Sequence, residues 1–433
     1  MSAELKQNAA TGAPASCWKP YPAYRDSGVE WMGKVPEHWE VKKLKWVSNL
    51  IYGSSLSNDQ RIEGKVPVYG SNGIIGYHNQ AISKKPCIII GRKGSFGKIN
   101  YSNIECFPID TTYYIDETAT KNDLLWLLYV LYTLNLDSLS KDSAVPGLSR
   151  EDAYDKVIFV PPISEQRAIS LYLDDRTQKI DSLIEKKQKM IELLKEERAA
   201  VINQAVPKGL DPDAQMKDSG IEWLGEVPEH WKISKLKYVV KGKLEYGANE
   251  SAELEDINLP RYIRITDFGA DGKLKDDTFK SLPFEIAKDY ILQKGDILFA
   301  RSGATVGKTF QFKSYQGIAC FAGYLIKASP DENRVLSDYL YLFTKSNVYE
   351  NWKNNVFIQA TIQNIGADKY NYLQITTPSI EEQKSIVQFI ESESAKIDSA
   401  VSIIEKELLL LQEYRTALIS EVVTGKIDVR EAT

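Results

Sequence analysis

The chain spells nearly the same sentence twice. "DSGVEWMGKVPEHWEVKKLKWV" begins at Asp26 and "DSGIEWLGEVPEHWKISKLKYV" at Asp218, 192 positions later. A near-copy at that distance within 433 residues restricts the fold to two related halves, each of ordinary domain size. The offset between matched landmarks then grows, from 192 at Trp31 and Trp223 to 209 at Arg92 and Arg301 and 217 at Glu165-Gln166 and Glu382-Gln383. The second copy has gained loop residues inside a preserved frame.

Each copy continues from this tryptophan-rich segment into short β-branched runs, "PCIIIGRKG" and "GDILFARSG", that read as strands between Gly, Asn and Asp turns. A helical stretch follows in each, "NDLLWLLYVLYT" and "VLSDYLYLFTKS". Both copies close on a long helix. Pro161-Pro162 precede the first, and Ser379 with Glu382 spells a capping box for the second. Along the first helix Ile180, Ile184, Lys187, Ile191, Leu194, Arg198, Val201 and Ala205 step by four and three. Ile397, Val401, Ile404, Leu408, Leu411, Arg415, Leu418 and Val422 repeat the pattern in the second, and such stepping is a heptad seam. A helix of about 40 residues is about 60 Å long. The expected fold is therefore α+β: two repeated mixed α/β domains, each followed by a long helix. The two helices pair as an antiparallel coiled coil with internal pseudo-two-fold symmetry, the alternative being a parallel coiled coil between two chains. The expected order is a flexible leader (1–23), a first domain (24–162), a central helix (163–206) and a linker (207–217). A second domain (218–378), a second helix (379–425) and a tail (426–433) follow.

Composition narrows the chemistry. Hydrophobic residues at 43% and charged residues at 26% suit globular domains with true cores, and the opening residues lack a signal-peptide core, so a cytoplasmic location is expected. A net charge of −5 argues against a protein that coats nucleic acid with its whole surface, so any DNA contact must be local. Cys17, Cys87, Cys106 and Cys320 show no C-x-x-C spacing, and three histidines add little, so no metal site is expected.

One such local patch exists. "KKPCIIIGRKGSFGKINYS" carries Lys84, Lys85, Arg92, Lys93 and Lys98 without an acid. Its glycine-rich turn, with Ser95, is matched by Arg301, Ser302, Thr305 and Lys308 in "ARSGATVGKT". Arginine there can donate paired bonds to guanine or to phosphate; a merely solvated turn is the other reading. Tyr69, Ser71 and Asn72 in the first copy, and Arg261, Arg264, Thr266 and Asp267 in the second, are of types that read base edges, or equally face water on an edge strand. "SGATVGKT" is not a nucleotide-binding P-loop, because Ser302 replaces a glycine and the residues after Lys308 alternate like a strand. "FVPPIS" lacks the groups that hold a flipped base for methyl transfer, and "EGK" at Glu63 or "DGK" at Asp271 is too short to define a nuclease. His38 and His230, at equal places in "VPEHW", fit a structural role beside Trp39 and Trp231 better than a catalytic one.

Together, "WKPYPAYRDSGVEWMGKVPEHWEVKKLK", "VYGSNGIIGY", "YIRITD", "GDILFARSGATVGK", "PPISEQRAI" and "PSIEEQKSI" resemble the specificity subunit, HsdS, of type I restriction-modification systems, over nearly the whole chain. The resemblance implies a non-catalytic DNA reader. Two target-recognition domains would each read one half of a split site, about one helical turn apart. The helices would separate the domains and dock methyltransferase (modification) subunits, two being expected, with restriction and translocase subunits joining the assembly. It implies no cofactor on this chain; S-adenosylmethionine, ATP and magnesium would sit on partner subunits. The exposed helix sides, including Glu165-Gln166 and Glu382-Gln383, are the expected docking face, or those glutamates only stabilise helix N-termini. Because the matched loops differ in chemistry, the two half-sites should differ. A coiled-coil scaffold without sequence readout and a metal-dependent nuclease are the rival readings.

Overall fold

Cys87–Gly91 reads CIIIG, and a β-branched run closed by a glycine-rich turn is satisfied as a strand covered on both faces. In the computed structural model all five residues are buried. The structure describes residues 19–29, 33–139, 147–269, 272–303, 305–358 and 364–431. Cys17, Trp31, Asp271 and most of the expected leader lie outside them.

Around that run, β1 (Ile51–Tyr52), β2 (Cys87–Gly91), β3 (Ile99–Ser102) and β4 (Thr112–Ile115) form an antiparallel sheet in the order β1-β4-β2-β3. The second copy builds the same sheet from β5 (Glu245–Tyr246), β6 (Ile297–Ala300), β7 (Thr309–Gln311) and β8 (Leu325–Ala328), in the order β5-β8-β6-β7. Strand β7 directly after Lys308 removes the P-loop reading, which needs a helix there. The copies differ beside the sheet. In the first, the hairpin Val66–Gly70 with Gly73–His78 lies parallel to Phe107–Pro108. In the second, a longer stretch brings Arg261–Ile263 parallel to Ala319–Phe321.

Helix α1 (Leu124–Tyr132) starts where the Asp123 side chain accepts from the Trp126 N–H, and α2 (Arg150–Tyr154) where Ser149 accepts from Asp152. Helix α3 (Ile163–Lys208) ends one residue past Pro207, which its last turn accommodates. In the second copy come α4 (Ser337–Phe343), α5 (Ala367–Tyr370) and α6 (Ile380–Val423). The capping box of α6 is formed: Ser379 Oγ accepts from the Glu382 N–H at 3.2 Å and Glu382 Oε2 from the Ser379 N–H at 3.1 Å. The helix closes with Gly425 N–H to Val422 O and Lys426 N–H to Glu421 O, a left-handed glycine cap at φ +74°.

Two compact units result, the first made of two separate stretches and the second continuous. Residues 1–187 with 406–433 make the first and 188–405 the second, so each holds part of both long helices. In the first unit Leu418, Ile419, Val422 and Val423 of α6 join the core around Trp39 and Trp126. In the second, Ile202, Ala205 and Val206 of α3 join the core around Trp231 and Tyr339. Helix pairing is within the chain and antiparallel in each unit. In the first, Arg415 donates to Asp181 at 2.8 and 3.1 Å while Lys187 Nζ lies 2.6 Å from Glu407. In the second, Arg198 pairs with Asp398. Asp181 and Asp398, like Arg198 and Arg415, are 217 apart, so one contact is made twice with the helices exchanging roles. Along the seam Ile180, Ile397, Ile404 and Leu418 are buried, and Ile184, Ile191, Leu194, Val201, Val401, Leu408 and Leu411 half-buried.

The repeated "VPEHW" fastens each domain to its helix. Glu165 accepts from Trp39 Nε1 at 3.1 Å and lies 2.8 Å from His38 Nε2. Glu382 does the same with Trp231 Nε1 at 3.1 Å and His230 Nε2 at 2.7 Å. Gln166 and Gln383 each donate to a helix-preceding proline carbonyl, Pro161 and Pro378, and accept from the Asp123 and Leu336 N–H groups. Glu165, Gln166 and Gln383 are buried, which corrects their reading as a docking face. Their polar groups are consumed holding the domain, a role beyond the helix N-terminus alone, and His38 and His230 take the structural place expected beside Trp39 and Trp231.

Candidate nucleic-acid interface

In the first unit the turn after β2 closes on itself: Gly91 N–H donates to Lys98 O and Gly97 N–H to Gly91 O, both at 2.8 Å. A Cβ at Gly91 would stand 2.1 Å from Ser95 O, so the tight closure requires glycine. Arg92 is braced on both sides, its N–H donating to Thr111 O and its carbonyl accepting from Leu148 N–H, each at 2.8 Å. The hairpin tip lies against this turn. Lys98 Nζ donates to Asn72 Oδ1 at 2.7 Å, and Ser71 Oγ is 3.4 Å from the Cβ position of Gly94. Ser71, Asn72, Arg92, Lys93, Ser95 and Lys98 thus share one surface, with Ile74, Ile75 and Tyr77 exposed on the adjoining strand. Tyr69 is buried beneath it, which corrects its reading as a surface contact.

The second unit repeats the turn: Ala300 N–H to Lys308 O and Gly307 N–H to Ala300 O, both 2.8 Å, with Ile365 N–H to Arg301 O at 2.8 Å in place of Leu148 to Arg92. Arg301 and Ser302 are half-exposed, Thr305 and Lys308 exposed. The other cluster separates. Arg261 is 3% exposed, its guanidinium donating to Lys275 O and lying over Phe279 and Tyr315. Asp267 is fully buried and binds the Arg264 guanidinium at 3.0 Å, which also donates to Thr278 O at 2.6 Å. Burial corrects the reading of Arg261 and Asp267 as surface contacts; Thr266 alone of the four is exposed.

Both arginine turns rest on an aromatic ring that the sequence reading did not single out. Arg92 lies 5.2 Å from the ring centroid of Tyr52 and Arg301 4.8 Å from that of Tyr246. A guanidinium held against a ring spends none of its N–H donors on that contact. A signal was present: "YG" stands at both places, and Gly53 and Gly247 admit no Cβ, which would fall 2.0 Å from Ile109 O and 2.2 Å from Phe321 O. Tyr113 beside Tyr52 is kept neutral, burial and then Tyr52 pushing its hydroxyl up to about 12. Cys87, Cys106 and Cys320 are buried free thiols, and among the described residues no His, Cys, Asp and Glu group is placed to hold a metal. No described helix is long and apolar enough to cross a membrane.

A sheet repeated in two units, each presenting a braced arginine turn and each packing part of both long helices, defines a protein built from two copies of one domain. The family described as type I restriction modification DNA specificity domain matches residues 36–193 and again 228–407, and the chain belongs to that family. A specificity component of this kind confers DNA sequence specificity, while the catalytic steps reside in other subunits. The chain is 24% identical to the MjaVIII specificity subunit of Methanocaldococcus jannaschii, over 92% of this chain and 95% of that one. It is 21% identical to the StySPI specificity subunit of Salmonella potsdam, over 92% and 91%. Among solved structures, the fold resembles a chain from a study of complex assembly and conformational transition in a type I R-M system (TM-score 0.69, 14% identity, 91% of this chain and 99% of that one). It also resembles HsdS from Thermoanaerobacter tengcongensis (TM-score 0.51, 14% identity, 91% and 98%).

Proposed function

We propose that the two units read the two halves of one asymmetric DNA site, the first through the turn at Arg92, Lys93, Ser95 and Lys98 with Ser71 and Asn72, the second through Arg301, Ser302, Thr305 and Lys308. The observation that carries this is the duplicated turn: one backbone closure in each unit, with an arginine stacked on an exposed tyrosine. Direct readout needs such side chains held rigidly, and unlike neighbours on like frames give unlike half-sites. The paired helices set the spacer between the half-sites and offer their exposed sides to two modification subunits, and restriction and translocase subunits join that assembly. S-adenosylmethionine, ATP and magnesium act on those partner chains. Single-molecule sequencing of the host genome with and without the gene tests this. Loss of adenine methylation at a two-part asymmetric motif on deletion is the expected result, and an unchanged methylation pattern contradicts it.

A further inference from the structure

In the first unit Tyr52 carries a second guanidinium. Arg150, the first residue of α2, lies 4.9 Å from the Tyr52 ring centroid, against 5.2 Å for Arg92, and also 5.8 Å from that of Tyr154. Tyr52 is 45% exposed, and both arginines are half-exposed. Among the described residues no carboxylate pairs with either guanidinium. Lys93 and Lys98 stand on the same turn. Two cations gathered at one ring raise the local positive potential, and a bound anion lowers it. The ring contact consumes none of the N–H donors of either guanidinium, and these suit the paired oxygens of a phosphodiester. The second unit lacks the counterpart. Ala367 begins α5 where Arg150 begins α2, 217 positions earlier. Its backbone N–H instead donates to the Tyr246 hydroxyl at 2.9 Å, and among the described residues Tyr246 carries Arg301 alone.

We infer that Arg92 and Arg150, positioned by Tyr52, form a two-arginine clamp on one backbone phosphate of duplex DNA, present in the first unit and absent from the second. This rests on the DNA-reading function proposed above and adds Arg150 as a phosphate contact and Tyr52 as a positioning residue. The clamp fixes register on the first half-site and leaves base reading there to Lys93, Ser95, Lys98, Ser71 and Asn72, with Arg92 positioning rather than reading.

The test uses the full chain assembled with its modification subunits. It measures binding to the duplex motif found by genome sequencing, and to a random-sequence duplex, over a range of salt concentrations. Arg150→Ala should weaken both duplexes by the same factor and lower the slope of log affinity against log salt by about 1. Arg150→Lys should keep the slope. Tyr52→Leu should weaken binding and Tyr52→Phe, which keeps the ring, should restore it. Methylphosphonate scanning of the motif should find one phosphate in the first half-site whose neutralisation harms the wild type and not Arg150→Ala, a readout that a merely structural residue would not move. If Arg150→Ala does not fold, Arg150→Gln and the wild-type scan decide the matter. Motif-specific binding by the wild type with an unchanged slope and phosphate sensitivity in the variant overturns the clamp alone. Absence of any motif preference in the wild type overturns the DNA-reading function and the clamp with it.

Discussion

Glu165, in the first turn of α3, accepts a 3.1 Å hydrogen bond from the indole of Trp39, a residue 126 positions earlier in the chain. The same carboxylate reaches His38, so one buried acid joins the repeated sequence block to the helix that follows its domain. Removing it leaves the Trp39 indole N–H, itself 1% exposed in the core, without a partner. Glu165→Ala should therefore destabilise the first unit by about 1–3 kcal/mol. Denaturant unfolding of the variant against the wild type measures this, and equal midpoints would rule out an anchoring role.

The equivalent acid in the second unit gives a pH dependence of known sign. Burial opposes ionisation of Glu382, but hydrogen bonds from His230, Trp231 and Ser379 outweigh it and hold its carboxyl down at about 2, against 4.5 ordinarily. A carboxyl lowered in the folded state stabilises fully above its unfolded value and loses that contribution as pH falls toward the folded one. The second unit should weaken between about pH 4.5 and about pH 2 through this group. Glu382→Gln should flatten that part of an acid-unfolding curve, and a curve of unaltered shape would contradict the assignment.

Of the ion pairs across the helices, Arg198 with Asp398 and Arg415 with Asp181 are one contact made twice, and both are partly exposed, with side-chain exposures of 34% and 66% for Arg198 and Asp398 and 31% and 51% for Arg415 and Asp181. Double-mutant cycles should return similar coupling in both, about 0.2–1 kcal/mol each. A coupling several times larger in one would show that the two units do not use the pair equally.

Arg301→Ala should leave the fold intact and relax recognition at one half-site only, because its backbone, which braces the turn, keeps both hydrogen bonds. Methylation of duplexes altered in one half-site at a time reads this directly. Loss at both half-sites together would argue against independent reading.

Seven residues inserted after Leu194 and seven after Leu411 preserve the heptad phase of both helices and lengthen each by about 10 Å. The methylated motif should then keep both half-sites and change its spacer. A folded variant with an unaltered spacer would separate the helices from that role.

Much of this was legible because it repeats. Paired landmarks exposed the two frames, the stepping of Ile180 through Leu418 exposed the helix seam, and Ser379 with Glu382 announced a capping box that is formed. The arginine turns were legible because glycine spacing reports local backbone. What escaped depends on distant partners. Arg261 reads as a surface cation until Phe279 and Tyr315 are seen to enclose it, and Asp267 as a polar contact until Arg264 is seen to neutralise it. Tyr52 and Arg150 meet only because β1 and α2 are brought together by the fold, and no local pattern encodes that meeting.

The division of the first core between distant stretches of chain bears on how the protein is made. The side chains that complete the first unit, Leu418 to Val429, leave the ribosome after every other residue of that core and after the whole of the second unit. The second unit ends at residue 405, and its core is complete by Ile390. The half that is translated first is therefore the half that finishes folding last, and until then its unclosed apolar surface is the nascent chain's point of exposure to chaperones and proteases.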